Sequence, residues 1–452
     1  MDLSIKTNLE DIYQLSRELG DSLYLVGGTV RDHLIGKPCT DYDFTSTQAP
    51  EIARQWAQKV HRTLIPLDET PGHETYRVVL NPNLYFDLTT LQGQTIEEDL
   101  AQRDFTINAM AVSLPDFIAG KINLIDPLKG QDDLNHQIIR MVSEQAFEED
   151  PLRLLRAFRF SSTLGFDIEP QTLAQIKAHK AKLSEVAQER ITYELLIFLG
   201  TTRSQLDLMN STGLMEGLFP GIAELQTKPG HLPGTTQWDD TRNIFTELES
   251  LLSQSDHFLE KHAQWIKGYI SKNNHYALLK WSTLIRPLMA NPAFDATEFL
   301  RSFRLSNAAI QFVYRTLKFS EIVLSESHSS GGGFKDDSTV YQFTHRSGNE
   351  LISALLLAFA VRLGKQEDIK YFIPLINRIL DFYIEKYLPA QSRPALLTGD
   401  VLITKLKLTP SPRFRFILEK VEEARVLGII KTSKEAEQLA SELITSPMEL
   451  SE

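Results

Sequence analysis

Apolar residues fall in short runs over the first third of the chain and recur at helical spacing over the remainder. The runs Leu23–Val26, Arg62–Leu67, Thr75–Leu80 and Tyr85–Leu91, with the alternating segment around Asp41 and Asp43, predict strands. Between them, Leu9–Leu19, Val30–Ile35 and Pro50–Val60 predict helices, the last with proline in its favoured first turn. Strand and helix signals so mixed predict one sheet with helices packed on it over residues 1 to 135. From Leu134 onward, spacing of three and four dominates, giving helices at Pro151–Phe160, Pro170–Lys180, Gln188–Leu199, Asn243–Leu252, Asn349–Gly364 and Arg413–Leu443. Ser325–Ser338 reads as a mobile loop by composition, and Pro389, Pro394 and Gly399 as a hinge. The expected class is α+β: a small α/β head followed by a long all-helical remainder.

Composition narrows the setting. A chain of 452 residues is too long for one core, so at least two domains are expected. The single Cys39 excludes an intramolecular disulfide framework and fits a reducing interior. Met1–Asp21 is too polar for a signal peptide, and Leu351–Val361, flanked by Glu350 and Arg362, is too short to span a bilayer. These features predict a cytoplasmic protein with no membrane partner, and no protein partner is evident. A net charge of −12 weighs against a broad nucleic-acid surface, so any such contact must come from local clusters.

The candidate chemistry sits in Leu23–Thr45, LYLVGGTVRDHLIGKPCTDYDFT. Side chains alternate along a strand, so Asp41 and Asp43 share one face while Tyr42 and Phe44 share the other. Two adjacent carboxylates repel unless a cation lies between them, and Mg²⁺ takes carboxylate oxygens together with substrate phosphates. Two such ions suit activation of an attacking hydroxyl and stabilisation of leaving pyrophosphate. The plainer reading is a solvated strand face. Gly27-Gly28 and Arg31 tilt the balance, because glycines at a helix N-terminus admit a phosphate and a guanidinium can fork onto it. The two halves together are far more specific than either alone. Asp87, in YFDLTTL, is either a third metal carboxylate or a surface acid.

The stretch VGGTVRDHLIGKPCTDYDF resembles the signature of the class II tRNA nucleotidyltransferase and bacterial poly(A) polymerase family, within the polymerase-β-type nucleotidyltransferase superfamily. QRDFTINA (Gln102–Ala109) resembles its ribose-recognition motif, although Gln102 stands where the family usually has arginine. DPLKGQDDL (126–134) resembles its hinge motif, EDPLR (149–153) with the following LLRAFRF and LGF its base-recognition helix, and ERITYEL (189–195) its last neck motif. The resemblance covers about residues 20–200 and returns near Leu396–Ala436. It implies a nucleotidyltransferase head (1–135), a neck bearing the base-recognition helices (136–205), a helical body (206–385) and a tRNA-binding helical tail (386–452). It further implies two Mg²⁺ ions on Asp41 and Asp43, triphosphate contacts from Gly27, Gly28 and Arg31, and a ribose pocket at Arg103, Asp104 and Asn108. The expected partners are a tRNA 3′ end, CTP and, for full CCA addition, ATP.

For the base, the resemblance points to Asp150 and Arg153, extended by Arg156 and Arg159. Aspartate only accepts and arginine only donates, a combination that matches the pairing edges of C and A and mismatches G and U. Three residues apart, the two are expected on one helix face, where the plainer reading is a surface ion pair. Only Leu91–Thr95 separates the Asp87 strand from the acidic helix 96–100. Relatives that add the terminal A generally carry a longer mobile segment there, so this chain is expected to stop after two cytidines. Many relatives also carry a His-Asp phosphohydrolase module. Here Ser282-Thr283 takes its place, and His257, His262 and His275 lack metal-binding spacing. In the tail, Lys405, Lys407, Arg413 and Arg415 form the densest basic cluster and the expected tRNA contact. A poly(A) polymerase and a non-catalytic RNA-binding protein with a relict head are the alternatives.

Overall fold

A computed structural model describes residues 3–253, 259–272, 274–328 and 334–445. The chain divides into two compact units, Met1–Leu218 and Phe219–Glu452. The first carries the sheet. The second is helical, with a single isolated bridge between Pro229 and Thr236 among its described residues.

Helix α1 (Leu3–Glu18) buries Leu9 and Ile12 and leads into β1 (Tyr24–Val26). Helix α2 (Gly27–Leu34) follows with no linker, so its first turn is the glycine pair itself, three residues earlier than the apolar spacing indicates. Next come β2 (Asp41–Ser46), α3 (Ala49–Lys59), β3 (Leu64–Asp68), β4 (Thr75–Asn81) and β5 (Leu84–Thr90). They are followed by α4 (Ile96–Ala101), β6 (Ala111–Ser113), α5 (Leu114–Ile118), β7 (Leu124–Ile125) and α6 (Gly130–Asn135). The seven strands run in the order β3-β4-β5-β2-β1-β6-β7, with β2 and β5 parallel and the other pairs antiparallel. Strands β6 and β7 escape sequence reading because two or three residues cannot display an alternation.

Sheet register places the chemistry. Asp41 pairs with Tyr85 and Asp43 with Asp87 across β2 and β5, and Asp87 pairs with Arg77 across β5 and β4. Paired residues share a face, so these five side chains stand on one side of the sheet. On the other, Tyr42, Phe44, Phe86 and Leu88 are buried, and Trp56 of α3 stacks on Phe86 with ring centroids 4.7 Å apart. The alternation expected of β2 is therefore present, one face catalytic in composition and the other core.

Beyond the sheet, β8 (Ile138–Ile139) pairs in parallel with β9 (Asp167–Ile168), a two-stranded interruption of a region whose spacing is almost throughout helical. Around it lie α7 (Ala146–Glu149), α8 (Arg153–Leu164), α9 (Pro170–His179) and α10 (Gln188–Leu199).

In the second unit, helices Gln237–Ser253 and Leu351–Gly364 cross so closely that a Cβ on Gly364 would lie 2.5 Å from the Ile244 nitrogen. The run Asp337–Gly364 has the length and composition of a membrane span, but 78% of its apolar window is buried inside the protein, as in a core helix. The expected loop at Ser325–Ser338 is shorter than its composition implies. Helix Asn307–His328 continues through its first residues and a capping box at Asp336 starts the next helix at Asp337; residues 329–333 lie outside the described set. Pro389 does not break the chain either: it occupies the first turn of helix Leu388–Gln391, directly after a π-helical turn at Tyr383–Tyr387. The last helical segment is two helices, Pro412–Val426 and Ser433–Thr445, closed around Leu402, Ile417, Val421 and Ala436.

Candidate active site

A cavity of about 430 Å³ opens in the first unit. Gly27, Gly28, Arg31, Asp41, Asp43, Arg103, Asp104, Asn108, Asp150, Arg153, Arg156 and Arg159 all line it, joined by Phe160 and Arg190. Residues from sequence positions more than a hundred apart thus meet in one space. Of the head and neck residues singled out from sequence, Asp87 alone is absent from the lining.

The glycine turn is required by geometry. Gly27 adopts φ +63°, and a Cβ there would stand 3.1 Å from Arg103 Nη1 and 3.5 Å from Asp43 Oδ2. A side chain would be strained by the backbone and would fill the space between the carboxylate and the guanidinium. Thr29 of α2 ties the helix to β2: its hydroxyl accepts from the Asp43 N–H at 2.7 Å and donates to the Asp41 carbonyl at 3.2 Å.

Asp43 is strongly perturbed. Burial, with repulsion from Asp87 and Asp41, lifts its pKa to about 6 against the pull of Arg103 and Arg31. Asp41 is exposed and Asp43 half-buried, and two mutually repulsive carboxylates open to a cavity suit a hard divalent cation, whose charge would offset the repulsion. Both Asp87 oxygens accept from Arg77, at 2.8 and 2.7 Å. Among the described residues no three His, Cys, Asp or Glu side chains are gathered as a metal site.

A polar chain crosses the cavity from head to neck. Arg31 Nη1 donates to Asn108 Oδ1 at 2.6 Å, Asn108 Nδ2 to Asp104 Oδ1 at 3.0 Å, and Arg156 twice to Asp104 Oδ2 at 2.9 and 2.6 Å. Arg156 also reaches Glu194 Oε1 at 3.2 Å, and Arg159 Nε lies 2.6 Å from Glu194 Oε2. Burial alone would raise the Asp104 pKa, but Arg156, Asn108 and the Phe105 N–H hold it down at about 2. The Phe160 ring lies beneath three guanidinium groups, Arg159 at 3.8 Å and Arg31 and Arg156 at 5.2 Å. Arg103 is aimed by Asp99, which accepts from its Nε and Nη2 at 3.0 and 2.8 Å.

Asp150 and Arg153 do not share a helix face, contrary to the expectation from their spacing. Asp150 ends α7 in an extended conformation, φ −140°, and Arg153 begins α8. Nor do they form the surface ion pair of the plainer reading. Asp150 accepts from the Leu152 N–H at 3.2 Å and from Arg190 Nη2 at 2.9 Å, while Arg153 donates to the Gln102 carbonyl at 2.6 Å and to Glu149 at 3.3 Å. An acceptor and a donor therefore stand side by side, each held from outside the pair. Two residues of α10 were not identified from sequence: Arg190, which holds Asp150, and Glu194, which holds Arg156 and Arg159. Their i,i+4 spacing in ERITYEL, opposite in charge to Asp150 and to Arg156, was the available signal.

The remaining candidates lie elsewhere. In the tail, Lys405 pairs with Glu437 at 2.6 Å, Arg415 with Glu419 at 2.7 Å, and Arg413 donates to the Leu443 carbonyl at 2.8 Å, while Lys407 is exposed. Ser282 and Thr283 are buried and bond back to the Leu278 and Leu279 carbonyls of their own helix. His262 lies 3.1 Å from Asp381, His275 packs on Phe312, and His257 is outside the described residues.

Comparison with known proteins agrees with this geometry. Residues 23–140 match the poly A polymerase head domain, and residues 165–226 match the "probable RNA and SrmB- binding site of polymerase A". The chain is 30% identical over 443 residues to a CC-adding tRNA nucleotidyltransferase of Geobacter sulfurreducens, covering 96% of this chain and 95% of that one. It is 36% identical over 439 residues to a CCA-adding enzyme of Levilactobacillus brevis, covering 94% of each. The fold is that of a CCA-adding enzyme solved with ATP, with a TM-score of 0.67 at 22% identity over 99% of this chain and 96% of that one. With likeness running nearly end to end, and the head-domain match enclosing both the glycine turn and the aspartate pair, the chain belongs to the tRNA nucleotidyltransferase and poly(A) polymerase family of RNA nucleotidyltransferases.

Proposed function

We propose that this protein adds CMP to the 3′ ends of tRNA without a nucleic-acid template, using CTP, releasing pyrophosphate and stopping after two cytidines. The observation that carries the reading is the meeting in one cavity of Asp41 and Asp43, the Gly27-Gly28 turn and the Asp150–Arg153 pair. Asp41 and Asp43 would hold two Mg²⁺ ions, which when bound supply Lewis-acid activation of the primer hydroxyl and of the leaving group. Asp87 would join them only by releasing Arg77. The chain's own contribution is placement. Free N–H groups at the start of α2, with Arg31, receive the triphosphate; Arg103, Asp104 and Asn108 shape the ribose side. Asp150 and Arg153 present an acceptor and a donor to the base, with Arg156 and Arg159 behind them.

Base choice then rests on unpaired groups. With G or U the pair would face donor against donor and acceptor against acceptor, a mismatch of the kind that rejects analogues by large factors. Asp150→Ala is expected to lower the preference for CTP over UTP by about a hundredfold, on the order of 3 kcal/mol, in a competition assay. A variant that keeps the parent's CTP-to-UTP ratio would remove Asp150 from the template.

Stopping after two cytidines is supported by the turn after β5. Gln92 donates its N–H to Asp99 and its side-chain amide to the Gly72 and Thr90 carbonyls, and the Gln94 N–H is held by Glu98 at 2.6 Å. Leu91, Ile96 and Leu100 anchor both ends in a small core. A segment so short and so bound offers no lever to reset the pocket for ATP. With tRNA lacking CCA, the expected product carries two added cytidines even with ATP present. Efficient completion to CCA would sink the CC-only reading, and long A-tails from ATP alone would favour the poly(A) alternative.

We assign residues 1–135 to the catalytic head, 136–205 to the neck, 206–385 to the body and 386–452 to a tRNA-binding tail. Lys405, Lys407, Arg413 and Arg415 would serve there, and a tRNA substrate with one reduced Cys39 supports a cytoplasmic setting.

A further inference from the structure

The Asp41–Asp43 face of the sheet continues past the carboxylates to an aromatic that the chemistry above does not use. Tyr85 is the register partner of Asp41 on the parallel strand, so its ring stands on the same face, one strand over. Arg77 lies across that ring at 4.0 Å while its Nε and Nη2 bind Asp87. The resulting stack is rigid, since the guanidinium is fixed by two bonds and the ring by the guanidinium. On the neck side, α10 presents Tyr193, 65% exposed, one helical turn from the cavity-lining Arg190. Arg190 Nη2 donates to the cavity-lining Asp150 at 2.9 Å, which fixes this stretch of α10 beside the cavity. Head and neck thus each set a tyrosine and an arginine next to the cavity lining, Tyr85 with Arg77 beside Asp41 and Tyr193 with Arg190 beside Asp150.

We propose that Tyr85 and Tyr193 form a stacking platform for the unpaired 3′-terminal nucleotides of the RNA that is being extended. The inference rests on the reading of the protein as an enzyme of tRNA 3′ ends. Three features favour a single-stranded RNA end over other occupants. Aromatic faces interleaved with arginines are what unpaired bases and their phosphates require. Adjacency to Asp41 puts the last nucleotide where its hydroxyl must react. An exposed tyrosine on a helix whose neighbouring turns carry the buried Ile191 and Leu195 has no folding role to explain it. The incoming nucleotide has its own place farther in, at Gly27 and Asp150.

The test is equilibrium binding of an acceptor-stem hairpin with a single-stranded 3′ overhang, beside a blunt hairpin, together with steady-state incorporation. Tyr193→Ala is expected to weaken overhang binding and raise the KM for RNA about tenfold, with the KM for CTP within about twofold of the parent, as loss of one stacked base would do. Tyr193→Phe and Tyr193→Trp should keep parental values, because the ring and not the hydroxyl is used. Tyr85→Leu should act like Tyr193→Ala. Unchanged overhang binding in both Tyr193→Ala and Tyr85→Leu, equal weakening toward the blunt hairpin, or a rise in the KM for CTP alone would each overturn the platform. The binding measurement decides this even if the unsubstituted protein incorporates no cytidine, a result that would instead overturn the proposed activity.

Discussion

Asp43→Asn is expected to leave a folded protein whose rate of nucleotide incorporation falls by at least about a thousandfold. A carboxylate that holds a catalytic cation contributes several kcal/mol to the transition state, and the amide cannot replace its charge. The same substitution should stabilise the metal-free protein at neutral pH. In the folded chain Asp43 keeps its proton up to about pH 6, against an ordinary value of 3.8, because burial and its two aspartate neighbours oppose the charge. The folded state therefore binds that proton more tightly than the unfolded chain. The stabilisation this provides is complete below the unfolded value and is lost as pH rises through about 6, after which the buried charge costs roughly 3 kcal/mol. In chelator, the parent should lose melting temperature between about pH 4 and pH 6 relative to Asp43→Asn, whereas added Mg²⁺ should raise the parent and not the variant. A variant that retains near-parental incorporation would sink the assignment. Inert Asp41→Ala beside an active parent would dispose of the relict-head alternative.

Arg156→Ala should be the most destabilising single change in the cavity, by about 3–5 kcal/mol. Its guanidinium satisfies Asp104 through two hydrogen bonds and Glu194 through a third, and both carboxylates are buried. Removing it leaves the buried Asp104 without its counter-charge and Glu194 with Arg159 alone, and breaking a buried pair from one side is what costs most. The first unit's thermal transition should drop by roughly 10 °C. Arg156→Met, equally uncharged but space-filling, should be nearly as damaging if charge compensation is the cause. A large recovery in the methionine variant would show that packing is what matters. The double variant Arg156→Met with Asp104→Asn should recover part of the loss, since the stranded charge is then gone.

Local features of the site were legible in the sequence because each is a statement about neighbours. The alternation of Asp41, Tyr42, Asp43 and Phe44 requires only that the segment be a strand, and the glycine pair requires only that a helix follow β1. Asp150 shows the cost of extending local reasoning through an ambiguous residue. Its distance of three from Arg153 suggested a shared helix face, but Asp150 precedes Pro151, whose ring pushes the preceding residue toward extended backbone. The break at φ −140° follows from that preference, and the signal was in the sequence. What no local pattern carried was the long-range pairing. Arg77 meets Asp87 through strand register, Arg190 meets Asp150 across 40 residues, and Arg156 meets Asp104 across 52. Such partners depend on how the sheet and the α8–α10 packing come together. The resemblance to a family supplied the order of the motifs but not which side chain holds which.

The cavity wall carries six arginines against four aspartates, an excess of two positive charges, in a chain whose formal total is −12. A polyanion approaching this protein meets a net negative charge overall and a local positive excess at the opening that faces the reactive aspartates. Substrate capture is thus a matter of long-range guidance as well as fit. The negative total and the positive cavity together favour entry of an RNA 3′ end over loose adsorption of the polyanion.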